Sequence, residues 1–152
     1  MLPVLRPNGG REELDALKEV IDSGWWGKGP KVAQFEKEFA KMVGAKYAIA
    51  VTSNSHGQDL VMKALEIKDG DVINPTISFM ATAMIPLWQN NITTNVVDVD
   101  PITMCIDPED VRKHITPNTK AIIAVNQAGI PAPIDEIRKF YDEMLLYGLS
   151  KQ

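Results

Sequence analysis

Thr52, Ser53, Asn54, Ser55 and His56 are the residues whose types and spacing best suit chemistry, and they follow directly on the apolar run Ala48-Ile49-Ala50-Val51. Such a run reads as a buried strand, and a helical pattern follows it. Four small polar residues therefore stand where a strand hands over to a helix. One reading is a cap, with Ser53 or Ser55 accepting a hydrogen bond from the first helical turn. The other is an anion cup. N–H groups at a helix start are unpaired and carry partial positive charge. The hydroxyls of Ser53 and Ser55 add donors, and Asn54 tolerates left-handed backbone. Together these groups could hold a phosphate dianion. Spacing alone leaves both readings open.

Other reactive residue types give weaker signals. Asp98 and Asp100 in "VDVD" alternate along a strand and point to one side. They suit a general acid/base pair, or turn caps that hold neighbouring loops. His56, beside the proposed cup, could reach a ligand, and a solvated or capping role is the simpler reading. His114 lies among charges on an exposed helix face. Neither histidine stands at ligand spacing from cysteines or carboxylates, so no metal site is expected. The single cysteine, Cys105, excludes an internal disulfide, fits a reducing compartment and reads as a small core hydrophobe. No Walker pattern is present, and "NGG" near the start is not a dinucleotide fingerprint.

These residues need elements to place them. "EELDALKEVIDSG" puts Leu14, Leu17, Val20 and Ile21 on one helical face and stops at Gly24. "KVAQFEKEFAKMVG" repeats the pattern with Val32, Phe35, Phe39 and Val43, and stops at Gly44. A helix over about 55–66 carries Leu60, Val61, Ala64 and Leu65. Strands are expected near 47–52, 71–74, 94–99 and 120–125. A helix from about Ser78 runs through "FMATAMIPLWQ", ending or kinking at Pro86. Asp107 is the expected N-cap of a helix with Pro108 at its first position, and "PIDEIRKFYDEML" is the last helix. Strands alternating with helices are the signature of a parallel sheet covered on both faces. "SGWWGKGPK" fits neither element; it suits a functional loop, or two tryptophans covering the edge of a core.

The composition bounds what such a fold can do. With 152 residues, 45% hydrophobic and 24% charged, the chain suits one globular domain with a real core. A net charge of -4 and a pI of about 5.2 argue against a nucleic-acid surface. The N-terminus lacks the charged start and apolar core of a signal peptide, and "FMATAMIPLW" is too short for a membrane span. A cytoplasmic location is expected.

Four segments in order carry a more specific signal: "SGWWGKGPKVAQFEKEFAKMVGAKYAIAVTSNS", "GDVINPTISFMATA", "VVDVDPITMCIDPEDVRKHITPNTKAIIAVNQAG" and "PAPIDEI". Over about residues 10–140 the chain resembles the DegT/StrS-type sugar-nucleotide aminotransferases, pyridoxal-phosphate (PLP) enzymes of fold type I; residues 143–152 stand outside the resemblance. It implies an α/β fold, a partial parallel sheet with helices on both faces, similar to the N-terminal part of the family's large domain. Residues 1–152 would then be a single, truncated large domain. The family's phosphate cup, usually Ser-Gly-Thr, falls on Ser53, Asn54 and Ser55, and its ring-stacking aromatic falls on Phe79. The resemblance tips the first question toward the anion cup.

There are departures. "GDV" is one residue shorter than the family's usual Gly-Asp-Glu-Val, and Asn126 stands where the family often has His. The family's Schiff-base Lys and pyridinium Asp have no counterpart in these 152 residues, and Lys151 is not in the family's motif. The resemblance therefore implies amino transfer from an amino acid to a keto-sugar nucleotide in homodimeric relatives, and a chain inactive by itself. Self-association through the "GWWGKGP" loop or the helix after Ser53 is expected. A dehydratase branch with the Lys replaced stays open. The alternative is a non-catalytic α/β module that binds a phosphorylated ligand or a protein partner.

Overall fold

The computed structural model describes residues 6–89 and 91–149. It falls into two compact units, Met1–Val51 and Thr52–Gln152. Lys151 lies outside the described residues.

The first unit holds two helices, α1 (Arg11–Ser23) and α2 (Pro30–Val43). Both stop where expected, at Gly24 and Gly44, whose positive φ angles of 72° and 70° close the last turns. Pro30 opens α2, where its missing N–H costs nothing. The apolar stripes of these helices are not buried: Leu14, Leu17, Ile21, Phe35, Phe39 and Val43 are all exposed. Trp25 and Trp26 are exposed as well, and the Trp26 indole donates to the Ile21 carbonyl at 3.3 Å.

The expected strand over 47–52 is absent. The segment has strand-like composition, but a strand exists only as one side of a hydrogen-bonded ladder, and no described residue pairs with it. The Ala50 N–H instead donates to the Glu36 carboxylate at 2.9 Å.

The second unit runs α3 (Asn54–Ala64), β1 (Gly70–Pro75), α4 (Ala81–Trp88), β2 (Ile92–Val97), α5 (Pro108–His114), β3 (Thr119–Ile122), a short 3-10 turn (Gln127–Gly129) and α6 (Ile134–Leu149). The three strands are parallel in the order β2-β1-β3. Alternation assigns each face. Ile73, Val97, Ile122 and Ala124 pack with Val111 of α5 and Ile137 of α6. Val72, Ile92, Ala121 and Ile123 pack with Met62 of α3 and Ile85 of α4. Helices thus cover both faces, as the apolar runs require. Asp107 caps α5 through the Glu109 N–H at 2.9 Å, and α4 keeps Pro86 inside its last turn. Cys105 is buried, its thiol 3.4 Å from the Ile130 carbonyl.

The α3 stripe differs from expectation. Met62 faces the sheet, whereas Leu60, Val61 and Leu65 are exposed. A helix with apolar residues over about half of its circumference gives periodicity little to choose between.

The edge pairing of β3 with β1 is pinned at its start. Asp71 is buried and accepts from the Thr119 hydroxyl at 2.7 Å and the Thr116 hydroxyl at 3.0 Å. Gly70 precedes it at φ 88°, and a Cβ there would lie 2.4 Å from the Asn118 carbonyl oxygen. Strain at positive φ costs about 1–3 kcal/mol, and the backbone clash adds to it. Gly70→Ala is therefore expected to destabilise the chain by about 3 kcal/mol or more, read as a lower urea midpoint. An unchanged midpoint would show that the turn before β1 can move freely.

Candidate functional site

The connection from α3 into β1 is five residues, 65–69, so the helix lies back along the strand and its start sits at the strand's carboxyl end. In open parallel sheets that end is where ligands bind. Met62 of α3 lies in one buried cluster with Val72 of β1 and Ile85 of α4.

The start of α3 combines both readings of the polar cluster. Ser53 is the N-cap, its hydroxyl oxygen accepting from the His56 N–H at 3.2 Å. The Gly57 N–H closes the first turn on the Ser53 carbonyl at 3.1 Å. The N–H groups of Asn54 and Ser55, the first two helical residues, have no acceptor within the helix. The cap thus organises the turn that presents them. The Thr52 hydroxyl and the His56 ring nitrogen Nδ1 also hydrogen-bond, which ties the incoming chain to the same turn.

Ser53, Ser55 and His56 line one cleft of about 600 Å³ with Asp59, Lys63, Trp88 and Gln89. Its far wall is held by Asp59, which accepts from Lys63 at 2.7 Å and from Gln89 at 2.8 Å, joining α3 to the residue after α4. The Lys63 hydrogen bond is the main reason that the Asp59 carboxyl sits below its ordinary value; partial desolvation opposes it, and Gln89 adds to it. Asn54 lines a second, mostly apolar cleft with Gly57, Gln58, Met62 and residues 121–124. Phe79 lies in the turn between β1 and α4, lines neither cleft and is 76% exposed. The structure therefore brings Ser53 and Ser55 together, turns Asn54 to the other flank of the helix, and leaves the Phe79 ring free.

The acid/base reading of Asp98 and Asp100 gives way to a structural role. Asp100 accepts from the Thr103 N–H, the Thr103 hydroxyl and the Ile102 N–H at 2.7, 2.9 and 3.0 Å, and these bonds, the Thr103 pair foremost, hold its carboxyl low. Asp98 accepts from the Val99 N–H at 2.9 Å. Both carboxylates are occupied by their own turn. His114 bonds the Asp110 carbonyl at 2.8 Å on the exposed side of α5.

Comparison with known proteins converges on one group. The model of the DegT/DnrJ/EryC1/StrS aminotransferase family matches residues 7–149. The chain belongs to this family. It is 33% identical to 3-amino-5-hydroxybenzoic acid synthase, with a TM-score of 0.84, over 90% of this chain and 36% of that one. It is 34% identical to E. coli GDP-4-keto-6-deoxy-D-mannose-3-dehydratase, solved with bound hydrated PLP, with a TM-score of 0.84, over 91% and 37%. It is also 34% identical to NtdA from Bacillus subtilis, solved with bound PMP, with a TM-score of 0.79, over 86% and 30%. The chain thus spans about a third of the length of these solved relatives, and its sheet is that of fold-type-I PLP enzymes.

Two buried polar side chains of the second unit carry no signal in the sequence reading. Gln58 of α3 and Asn74 of β1 each carry a buried side-chain oxygen that accepts no hydrogen bond.

The Asp59 contacts predict a sign for pH dependence. A carboxyl held low in the folded state binds fewer protons there than when unfolded. Its stabilising contribution is in place above about pH 4 and is lost as pH falls through the folded-state value. Urea midpoints measured from pH 6 to pH 3 are expected to fall less steeply in Asp59→Asn than in the parent chain. Parallel curves would mean that Asp59 contributes nothing to acid sensitivity.

Proposed function

We propose that the second unit holds the phosphate of PLP in an enzyme acting on keto-sugar nucleotides in amino-sugar biosynthesis, in the cytoplasm. The observation that carries this is the start of α3: two free N–H groups and two serine hydroxyls at the carboxyl end of the central parallel strand. Ser53, Asn54 and Ser55 hold the phosphate, the positive end of the helix favouring its charge. Phe79 offers an exposed aromatic face to the pyridine ring, a contact worth about 1 kcal/mol. PLP, when bound, supplies an electron sink for breaking bonds next to an amino group.

The residues present fit the phosphate end of the cofactor. The family's lysine and the carboxylate that pairs with the ring nitrogen are unmatched within these 152 residues, so the chain by itself is expected to bind without turnover. Titration with phosphate and PLP tests this. Ser55→Ala is expected to weaken both by about 5- to 10-fold, the loss of one charge-assisted hydrogen bond. Equal binding by parent and variant would remove Ser55 from the site, and transamination by the 152-residue chain would overturn the expected inactivity. A non-catalytic module for phosphorylated ligands uses the same helix start; binding of phosphate with no preference for PLP would favour it.

The proposal includes a homodimer. Its support is the exposed row Leu60, Val61 and Leu65 on α3 and the exposed Trp25 and Trp26. Light scattering at rising concentration is expected to give twice the chain mass; a monomer throughout would exclude it.

A further inference from the structure

Independently of the phosphate reading, we propose that Asn8 is a site of spontaneous covalent modification, its side-chain amide deamidating through a ring closed by the Gly9 backbone nitrogen.

The step needs only water. The deprotonated Gly9 nitrogen attacks the Asn8 Cγ, the Cγ–Nδ2 bond breaks and ammonia leaves, which closes a cyclic succinimide. Water then adds to one of the two ring carbonyls. Opening at Cγ leaves aspartate; opening at the backbone carbonyl leaves isoaspartate, with the chain running through the former side chain. One water enters and one ammonia leaves, and nothing is oxidised or reduced.

The structure around the attacking nitrogen selects Asn8. Ring closure requires a following N–H that is free, unhindered and able to turn toward the side chain. Asn8 and Gly9 are exposed and stand outside any helix or strand, just before α1. No described residue accepts a hydrogen bond from the Gly9 N–H, and a Cβ at Gly9 would meet nothing within 4 Å. Glycine also has the widest choice of backbone angles.

Each of the other described asparagines lacks one of these conditions. Asn74 precedes Pro75, which has no N–H. Asn54 precedes Ser55 within the first turn of α3, where the backbone is fixed. Asn91 and Asn95 precede Ile92 and Val96 of β2, which are β-branched and held in the ladder with β1. The Thr119 N–H that follows Asn118 donates to the Thr116 carbonyl at 3.0 Å. The Asn126 side-chain oxygen is held by the Ala132 N–H at 2.9 Å. The product suits its place: residue 8 lies shortly before Gly10, the N-cap of α1, whose first turn already carries Glu12 and Glu13, and negative charge is favourable at the positive end of a helix.

The test incubates the 152-residue chain at mildly alkaline pH beside Gly9→Ala and Asn8→Gln. It reads isoelectric focusing, the mass of the tryptic peptide that ends at Arg11, and methyl transfer by an isoaspartyl methyltransferase. In the parent, a species more acidic by one charge is expected to accumulate, with the mass change and the isoaspartate both in that peptide. Gly9→Ala is expected to slow its formation by about tenfold or more, because a Cβ restricts the attacking amide. Asn8→Gln is expected to abolish it. Equal rates in the parent and Gly9→Ala, an acidic species without isoaspartate, or a mass change carried as fast by the peptide of Asn54 or Asn118 overturns the inference. So does a parent that stays unmodified while a free peptide of residues 6–11 deamidates under the same conditions.

Discussion

β1 is buried on both faces, and the packing within the second unit depends on that. Val72 and Ile73 are each 0% exposed, one facing α3 and α4, the other α5 and α6. Fully burying such side chains is worth about 1.5–3 kcal/mol each. A surface ion pair such as Arg112–Glu109 is worth about 0–1 kcal/mol. The two-sided burial therefore outweighs the surface contacts in fixing which helix covers which face. It also fixes register, since a slip of one residue would exchange the two faces of the strand.

The candidate site is a consequence of this packing. α3 reaches the carboxyl end of β1 because a five-residue connection returns the chain along the same line. Ser53 then caps the helix, and the cap leaves two N–H groups facing outward. The structural and functional readings of Ser53 do not compete: the bond that satisfies the His56 N–H shapes the turn that presents Asn54 and Ser55. Asp59, Lys63 and Gln89 brace the same helix along the cleft that Ser53 and Ser55 line.

Much of this was legible in the sequence. Gly24, Gly44, Asp107 and Pro108 mark helix ends by local chemistry that needs no tertiary partner, and each does so in the structure. β1, β2 and β3 were visible as apolar runs. The segment 47–52 was misread because composition reports only half of what a strand needs. Alternation cannot show whether a second backbone lies alongside. The inward face of α3 differs for a related reason: Leu60, Val61, Met62 and Leu65 spread over about half of the helix circumference, and only the position of the sheet selects Met62.

The first unit shows the limit of local chemistry. α1 and α2 have 13 and 14 residues, lengths at which an isolated helix is marginal in water. Their local devices are the capping glycines, Pro30 and ion pairs such as Lys18–Asp22 and Lys31–Glu19, the latter linking the two helices. Ion pairs of this kind add about 0.2–1 kcal/mol each. Among the described residues of the unit only Ala40 is buried. Leu14, Leu17, Ile21, Phe35 and Phe39 together would release several times that energy on burial, at about 1.5–3 kcal/mol for each side chain. The periodicity that writes these helices into the sequence is therefore a pattern for docking. Its full stabilising value depends on a surface that covers the two stripes, and the tight, residue-specific ends of α1 and α2 keep those stripes in a fixed shape for it.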